Sequence, residues 1–183
     1  TVNYFQQLKH YRNDVKFVFV DLLNRDYYRQ RLKKAYPELV IPDPQKNKDL
    51  VTAFFQLNPH AVILMEKPKD IGIWVPYGLY WQYFPDKPTA KQQLEKLIMA
   101  NDQLWKNYHI PVITKNNHQL LHLRSLQQTY LSMYATYAEF LVSEKNYAQA
   151  KKIIQRILNY NSSFTQALNL QKSLSQPVPV NKK

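Results

Sequence analysis

Apolar positions in the first sixty-odd residues switch between two periods. Tyr4, Phe5, Leu8 and Tyr11 fall on one face of a short helix predicted over Val2 to Tyr11. Val15-Lys16-Phe17-Val18-Phe19-Val20 is instead a near-continuous apolar run, the pattern of a strand buried on both faces. Asp26 to Tyr36 returns to helical spacing through Tyr28, Leu32 and Tyr36, with Asn24 placed to cap it and Pro37 to stop it. After a proline-broken connection, Pro37 to Pro44, a second helix is predicted over Asp49 to Leu57, ending at Asn58-Pro59. Ala61 to Met65 reads as a second apolar strand. The order strand, helix, helix, strand predicts a right-handed parallel crossover, and so a small, mostly parallel sheet.

A β-ribbon follows. Ile73-Trp74-Val75 and Leu79 to Phe84 are rich in strand formers, and Pro76-Tyr77-Gly78 lies between them. Gly78 supplies the positive φ of a tight turn, and Pro76 lacks an amide that only an edge strand can spare. Past Asp86-Lys87-Pro88 the strand signal fades. Helices are predicted over Thr89 to Tyr108, Leu120 to Val142, Tyr147 to Tyr160 and Phe164 to Leu174, with Ile110 to Thr114 as an extended link. The expected organisation is an α/β N-terminal subdomain over residues 1–88 and an α-helical, tetratricopeptide-like hairpin region over 89–176. A disordered tail is expected over 177–183.

Composition narrows the function classes. The 183 residues are 45% apolar and 14% aromatic, enough for a real core. The longest apolar candidate for a membrane span, VKFVFVDLL, is short and carries a lysine and an aspartate. A chain that opens Thr1-Val2-Asn3 is expected to be a piece of something longer. Without cysteine there is neither a disulfide framework nor a thiol nucleophile. The net charge is +12; Lys and Arg outnumber Asp and Glu by 12 to 8 up to Pro85 and by 13 to 5 beyond it. Because the excess is spread rather than gathered, a solvated basic surface is favoured over a nucleic-acid patch.

Candidate chemistry is sparse. His118 and His122 stand at i and i+4, a zinc-compatible spacing, but position 119 is Gln and no third ligand is evident, so no metal site and no cofactor are assigned. The two glycines, Gly72 and Gly78, leave no phosphate-cradling loop and no nucleophile elbow, and no catalytic residue is assigned. Asp21, after the first predicted strand, is placed either to meet a ligand or to cap the next helix with Asn24, and the preference of such residues for helix starts favours the cap. Arg25, Arg29 and Lys33 form a basic stripe that reads as a solvated helix face or as a surface for lipid phosphates. The aromatic stretch around Trp74, Tyr77, Tyr80 and Trp81 has three readings: a structural ribbon, a sugar-stacking surface and an interfacial belt.

Two resemblances add to this. Residues 131–164 resemble one tetratricopeptide repeat: Tyr134, Tyr137, Ala138 and Leu141 take the bulky, bulky, small, bulky positions of its first helix, and Ala150, Ile154 and Ile157 those of its second. Ser162 stands where that repeat usually has proline, and Ile157 where it usually has alanine. Such a hairpin implies a peptide or protein partner, with Tyr134 and Tyr137 as candidate groove residues.

The N-terminal half, through Tyr11-Arg12-Asn13-Asp14-Val15, Leu22-Leu23-Asn24, Tyr27-Tyr28, Ala61 to Leu64 and Gly78 to Pro85, resembles the post-membrane segment of a bacterial multi-spanning family of unknown function. That family is similar to membrane-embedded glycosyltransferases that use lipid-linked sugars, including protein O-mannosyltransferases. Asn13 replaces a proline of its motifs, Asp21 a serine and Tyr27 a tryptophan. The resemblance implies a non-catalytic, extracytoplasmic (periplasmic) accessory domain, attached to the membrane through an upstream segment and positioning an acceptor, glycan or lipid-linked sugar. A free-standing adaptor and a basic nucleic-acid-binding domain are the contrasting expectations.

Overall fold

The computed structural model describes residues 16, 18–58, 63–64, 72–114 and 120–175. The chain divides into two compact units, Thr1–Val62 and Ile63–Lys183. The helix predicted over Val2 to Tyr11, the histidine at position 118 and the tail beyond residue 176 lie outside the described residues.

In the first unit, a single 3-10 turn over Val20–Leu22 leads into α1, Asp26–Ala35. Val18 and Phe19 belong to no strand, which corrects the buried strand expected over 15–20 as far as those residues are described. The amide of Phe19 donates to the Tyr28 hydroxyl at 2.7 Å instead of to a neighbouring strand, and Leu23 N–H closes the turn on Val20 O. Helix α1 starts at Arg25 with no side-chain cap, so Asn24 and Asp21 do not cap it. Its start is held by Arg29, whose guanidinium donates to Leu23 O at 2.8 Å and to Asp26. Helix α2, Leu50–Leu57, is capped by Asp49, which accepts from the amides of Val51 and Thr52. The Thr52 hydroxyl, donating to Asp49 at 2.6 Å, and then those amides hold the Asp49 carboxyl below its ordinary range. Asn58 ends α2 and ties back to Val40 through both its amide nitrogen and its oxygen. Leu23, Leu32 and Phe55 form the centre of this unit.

The second unit opens with a three-stranded sheet: β1 (Ile63–Leu64), β2 (Ile73–Tyr77) and β3 (Tyr80–Phe84), in the order β1-β3-β2. Both pairings are antiparallel, which corrects the mostly parallel sheet. The reason is connectivity: β2 and β3 join through only two residues, Gly78 and Leu79, and so short a loop can only reverse the chain. Gly78 has φ +61° while Leu79 does not share the positive φ, the type II′ pattern that suits the twist of paired strands. The turn thus sits one position later than the Pro76-Tyr77-Gly78 corner expected from sequence. Pro76 lies within β2, an edge strand, where proline is tolerated.

Helices α3 (Lys87–Gln92) and α4 (Leu94–Asn107) divide the single helix expected over 89–108, with a break at Gln93. Asp86 caps α3 by accepting from Thr89 N–H, and Pro88 occupies its first turn, where a missing amide costs nothing. After a link through Ile110–Thr114 come α5 (Leu121–Ser143), α6 (Tyr147–Tyr160) and α7 (Thr165–Ser175), close to the sequence expectation. Consecutive helices pack as hairpins on a core of Leu131, Tyr137, Ala138, Leu141, Ala150, Ile154 and Ile157. Ala138 and Ala150 keep the facing backbones close, while the bulky residues around them fill the layer.

The α5–α6 connection closes in a defined way. Asn146 N–H bonds Leu141 O at 2.8 Å and Lys145 N–H bonds Val142 O at 3.0 Å, a Schellman motif that satisfies the last carbonyls of α5. The left-handed position of that motif, usually glycine, is Lys145, with φ +62°. Lys145→Gly should therefore stabilise the unit by about 0.5–1 kcal/mol in urea denaturation, the relief of strain exceeding the entropy gained by the unfolded chain. Ile157→Ala, in the hairpin core, should destabilise it by about 3 kcal/mol in the same measurement.

Candidate functional site

The best-organised polar feature of the second unit is where the ribbon turn meets α4. Asn101 is fully buried. Its Nδ2 donates to Pro76 O at 2.8 Å and to Leu97 O at 3.0 Å, and its Oδ1 accepts from Gly78 N–H at 2.7 Å. Pro76 lies in β2 and Gly78, two residues on, opens the turn, and both present backbone groups to Asn101 rather than to β3. One carboxamide thus supplies the donor and the acceptor that a further strand would have offered. A Cβ at Gly78 would collide with the Tyr108 hydroxyl, so close approach as well as positive φ demands glycine there. That hydroxyl accepts a backbone hydrogen bond from Leu79.

Beside this clasp runs a column of rings. Trp105 stacks on Tyr134 with centroids 4.1 Å apart and planes at 18°, and meets Tyr108 edge-on at 5.2 Å. Tyr108 in turn meets Tyr130 edge-on at 5.6 Å, and the Arg156 guanidinium lies over the Tyr134 ring, 5.9 Å from its centroid. Among the described residues, the Trp105 indole N–H is buried without a hydrogen-bond partner. Next to the column, Tyr137 O–H donates to Asp102, whose two oxygens also accept from Gln149 Nε2 at 2.9 and 2.8 Å. Burial, followed by the Asp102 charge and the hydrogen bond to it, pushes the Tyr137 phenol far above its ordinary range. Burial also raises Tyr83, Tyr108 and Tyr134. Phenols held protonated in this way are hydrogen-bond donors and packing surfaces, and none is poised as a nucleophile.

Comparison with protein-family models, with curated proteins and with solved structures gives no match to this chain.

The residues singled out from sequence are scattered. Trp74 is buried and tilted against Tyr83 at 5.3 Å, a structural role in the ribbon. Tyr77 and Trp81 are half-buried and Tyr80 is exposed. Tyr134 and Tyr137 are buried core residues of the helical hairpin. Arg25 and Lys33 are exposed, but Arg29 is buried against Leu23 O and Asp26, so the basic stripe is interrupted at its centre. Asp21 and Asn24 line a shallow, open depression of about 380 Å³ in the first unit together with Lys48 and Asp49. Asp49 is committed there to capping α2. His122 is exposed in the first turn of α5. Among the described residues no three His, Asp or Glu side chains gather as a metal site, and no helix is long and apolar enough to cross a membrane.

Asn101 was missed at the level of sequence, although a signal exists. It occupies the middle of the stripe Leu97, Asn101, Trp105, at i, i+4 and i+8, where a polar residue interrupts an otherwise apolar face. Gln127 is a second case, buried and donating to Pro111 O at 2.7 Å.

Asn101→Ala strands the Gly78 N–H and the Pro76 carbonyl together and should cost about 3 kcal/mol in urea denaturation, as should be expected of two buried groups left unpaired. The raised phenols set an alkaline dependence. Unfolded tyrosines ionise from about pH 10 while the buried ones hold their protons, so stability is intact below about pH 10 and falls as the pH rises beyond it. Urea midpoints between pH 8 and 11.5 should show this, with a shallower fall in Tyr137→Phe; equal slopes would contradict the assignment.

Proposed function

We propose that the chain is a non-catalytic protein-interaction domain of tetratricopeptide type, serving as the extracytoplasmic accessory part of a polytopic, glycosyltransferase-like membrane protein and positioning an acceptor or partner. The observation that carries the interaction role is the packing of α5 on α6. Tyr134, Tyr137, Ala138 and Leu141 meet Ala150, Ile154 and Ile157, all buried, in the order a tetratricopeptide hairpin uses. Helix α7 continues the series and ties to α5 through Gln166 Nε2 and Glu139 at 2.9 Å.

Along α5, Ser125, Thr129, Ser132, Thr136 and Glu139 recur at alternating four- and three-residue steps and stay outside the buried core. Thr129 and Thr136 donate their hydroxyls to Ser125 O and Ser132 O, which leaves the hydroxyl oxygens of these short side chains as acceptors for an extended segment of a partner. The membrane attachment is supported by the resemblance of the ribbon residues Gly78 to Pro85 and the earlier motifs to the multi-spanning family.

Two measurements test the two halves separately. The reading frame preceding Thr1 should encode many apolar spans, and a frame without them removes the membrane attachment. In the intact protein, a photoreactive residue at the exposed position Thr129 should crosslink a discrete partner. Ser132→Arg combined with Thr136→Arg should abolish the adduct while leaving the thermal midpoint within about 3 °C. Adducts that persist in the double variant would remove α5 as the contact.

A further inference from the structure

Helix α1 and its cap residue carry the densest charge of the chain. Over eleven residues they hold Arg25, Arg29, Arg31, Lys33 and Lys34 against a single carboxylate, Asp26, and no eleven-residue stretch clear of this segment exceeds a net charge of +3. That carboxylate is engaged inside the helix, accepting from Arg29 at 3.1 Å and from Gln30 at 2.8 Å. Arg29 itself is buried, whereas Arg25, Arg31, Lys33 and Lys34 are exposed, and among the described residues no carboxylate holds any of these four. The open face is therefore not the stripe of Arg25, Arg29 and Lys33. It runs through Tyr27, Arg31 and Lys34, at i, i+4 and i+7, turned away from the buried Leu32. Tyr27 is 66% exposed and Phe19 59%. Phe19 is tied to this helix by its amide, which donates to the Tyr28 hydroxyl, and that hydroxyl also feels the Arg31 charge and the Tyr27 phenol.

From this face we infer that α1 lies against an anionic lipid surface, with Arg31, Lys34 and the flanking Arg25 and Lys33 among the phosphates and the rings of Tyr27 and Phe19 at the headgroup boundary. Four exposed cations on one short helix, with the neighbouring carboxylate already engaged, complement a densely anionic partner, and each adds favourable energy close to a charged bilayer. The two aromatic rings choose among anionic partners. An exposed tyrosine suits the headgroup zone, where its ring meets the apolar boundary and its hydroxyl stays in water. A second copy of the chain would bring like charges face to face, which disfavours self-association through α1. Helix α6 exposes Lys151 and Lys152 at lower density and supplies the internal comparison.

The inference extends the membrane attachment proposed above to a surface of this chain, and its test needs no upstream segment, so a reading frame without apolar spans and a failure on vesicles are separate results. The test is co-sedimentation of the 183-residue chain with extruded vesicles at about 0.15 M salt. Vesicles of phosphatidylcholine with about a third phosphatidylglycerol should retain the chain at least about tenfold better than phosphatidylcholine alone. Arg31→Gln combined with Lys34→Gln should lower that retention about tenfold, and Tyr27→Ser about threefold, with unchanged circular dichroism. Lys151→Gln combined with Lys152→Gln, the same loss of charge on α6, should leave retention within about twofold. Equal retention on neutral vesicles, or equal loss in the α1 and α6 double variants, would overturn the proposal. So would tighter binding of an oligothymidylate than of the anionic vesicles, lost in the α1 variant, which would reassign the face to nucleic acid.

Discussion

The second unit depends on one carboxamide. Asn101 joins a sheet to a helix without a chain connection between the groups it bridges, and it does so where no water reaches. Polar groups in that setting are costly unless each is matched, so the three bonds of Asn101 fix the height and rotation of the ribbon on α4 more narrowly than apolar packing would. Gly78 must be glycine because Tyr108 lies against it, and Tyr108 is held in place by Trp105 and Tyr130. Trp105 in turn stacks on Tyr134 of the long helix. The clasp therefore passes its geometry through a column of rings into the helical hairpin.

The column and the hairpin share an economy of polar groups. Asp102, one residue beyond Asn101, satisfies Tyr137 and Gln149 together and so links α4 to both α5 and α6. Among the described residues the Trp105 indole N–H is unmatched, and Trp105 is held by ring contacts and apolar packing. Side chains from adjacent positions of a single helix thus perform two kinds of fixing, one directional and one dispersive.

The helices were legible because their apolar residues recur at a helical period over long stretches, and α6 falls on Tyr147–Tyr160 as its sequence pattern indicates. The sheet was not. An apolar run such as Val15 to Val20 has strand composition, but composition does not record whether a neighbouring strand exists, and Phe19 finds a tyrosine hydroxyl instead. The antiparallel hairpin is visible in the strand formers on either side of Gly78 and in the positive φ that Gly78 supplies, whereas nothing in the sequence places Pro76 inside β2 rather than between the strands. Surface residues were harder still. Tyr134 and Tyr137 have the size of contact residues and the spacing of core residues, and burial decided for the core. Asn101 was concealed by the opposite bias, since a single asparagine in an apolar stripe looks like an imperfection until its partners on another element are known.

Pro76 gives the sheet edge a property that concerns many molecules rather than one. Edge strands ordinarily expose a row of amides and carbonyls that can recruit a strand from another chain and begin a growing β-stack. On the outward side of β2, position 76 has no amide to offer, its carbonyl is taken by Asn101, and the amide of Gly78 is taken by the same side chain. That end of the ribbon is closed to further strands, so a chain rich in tyrosine and tryptophan presents there no template on which aggregates can grow.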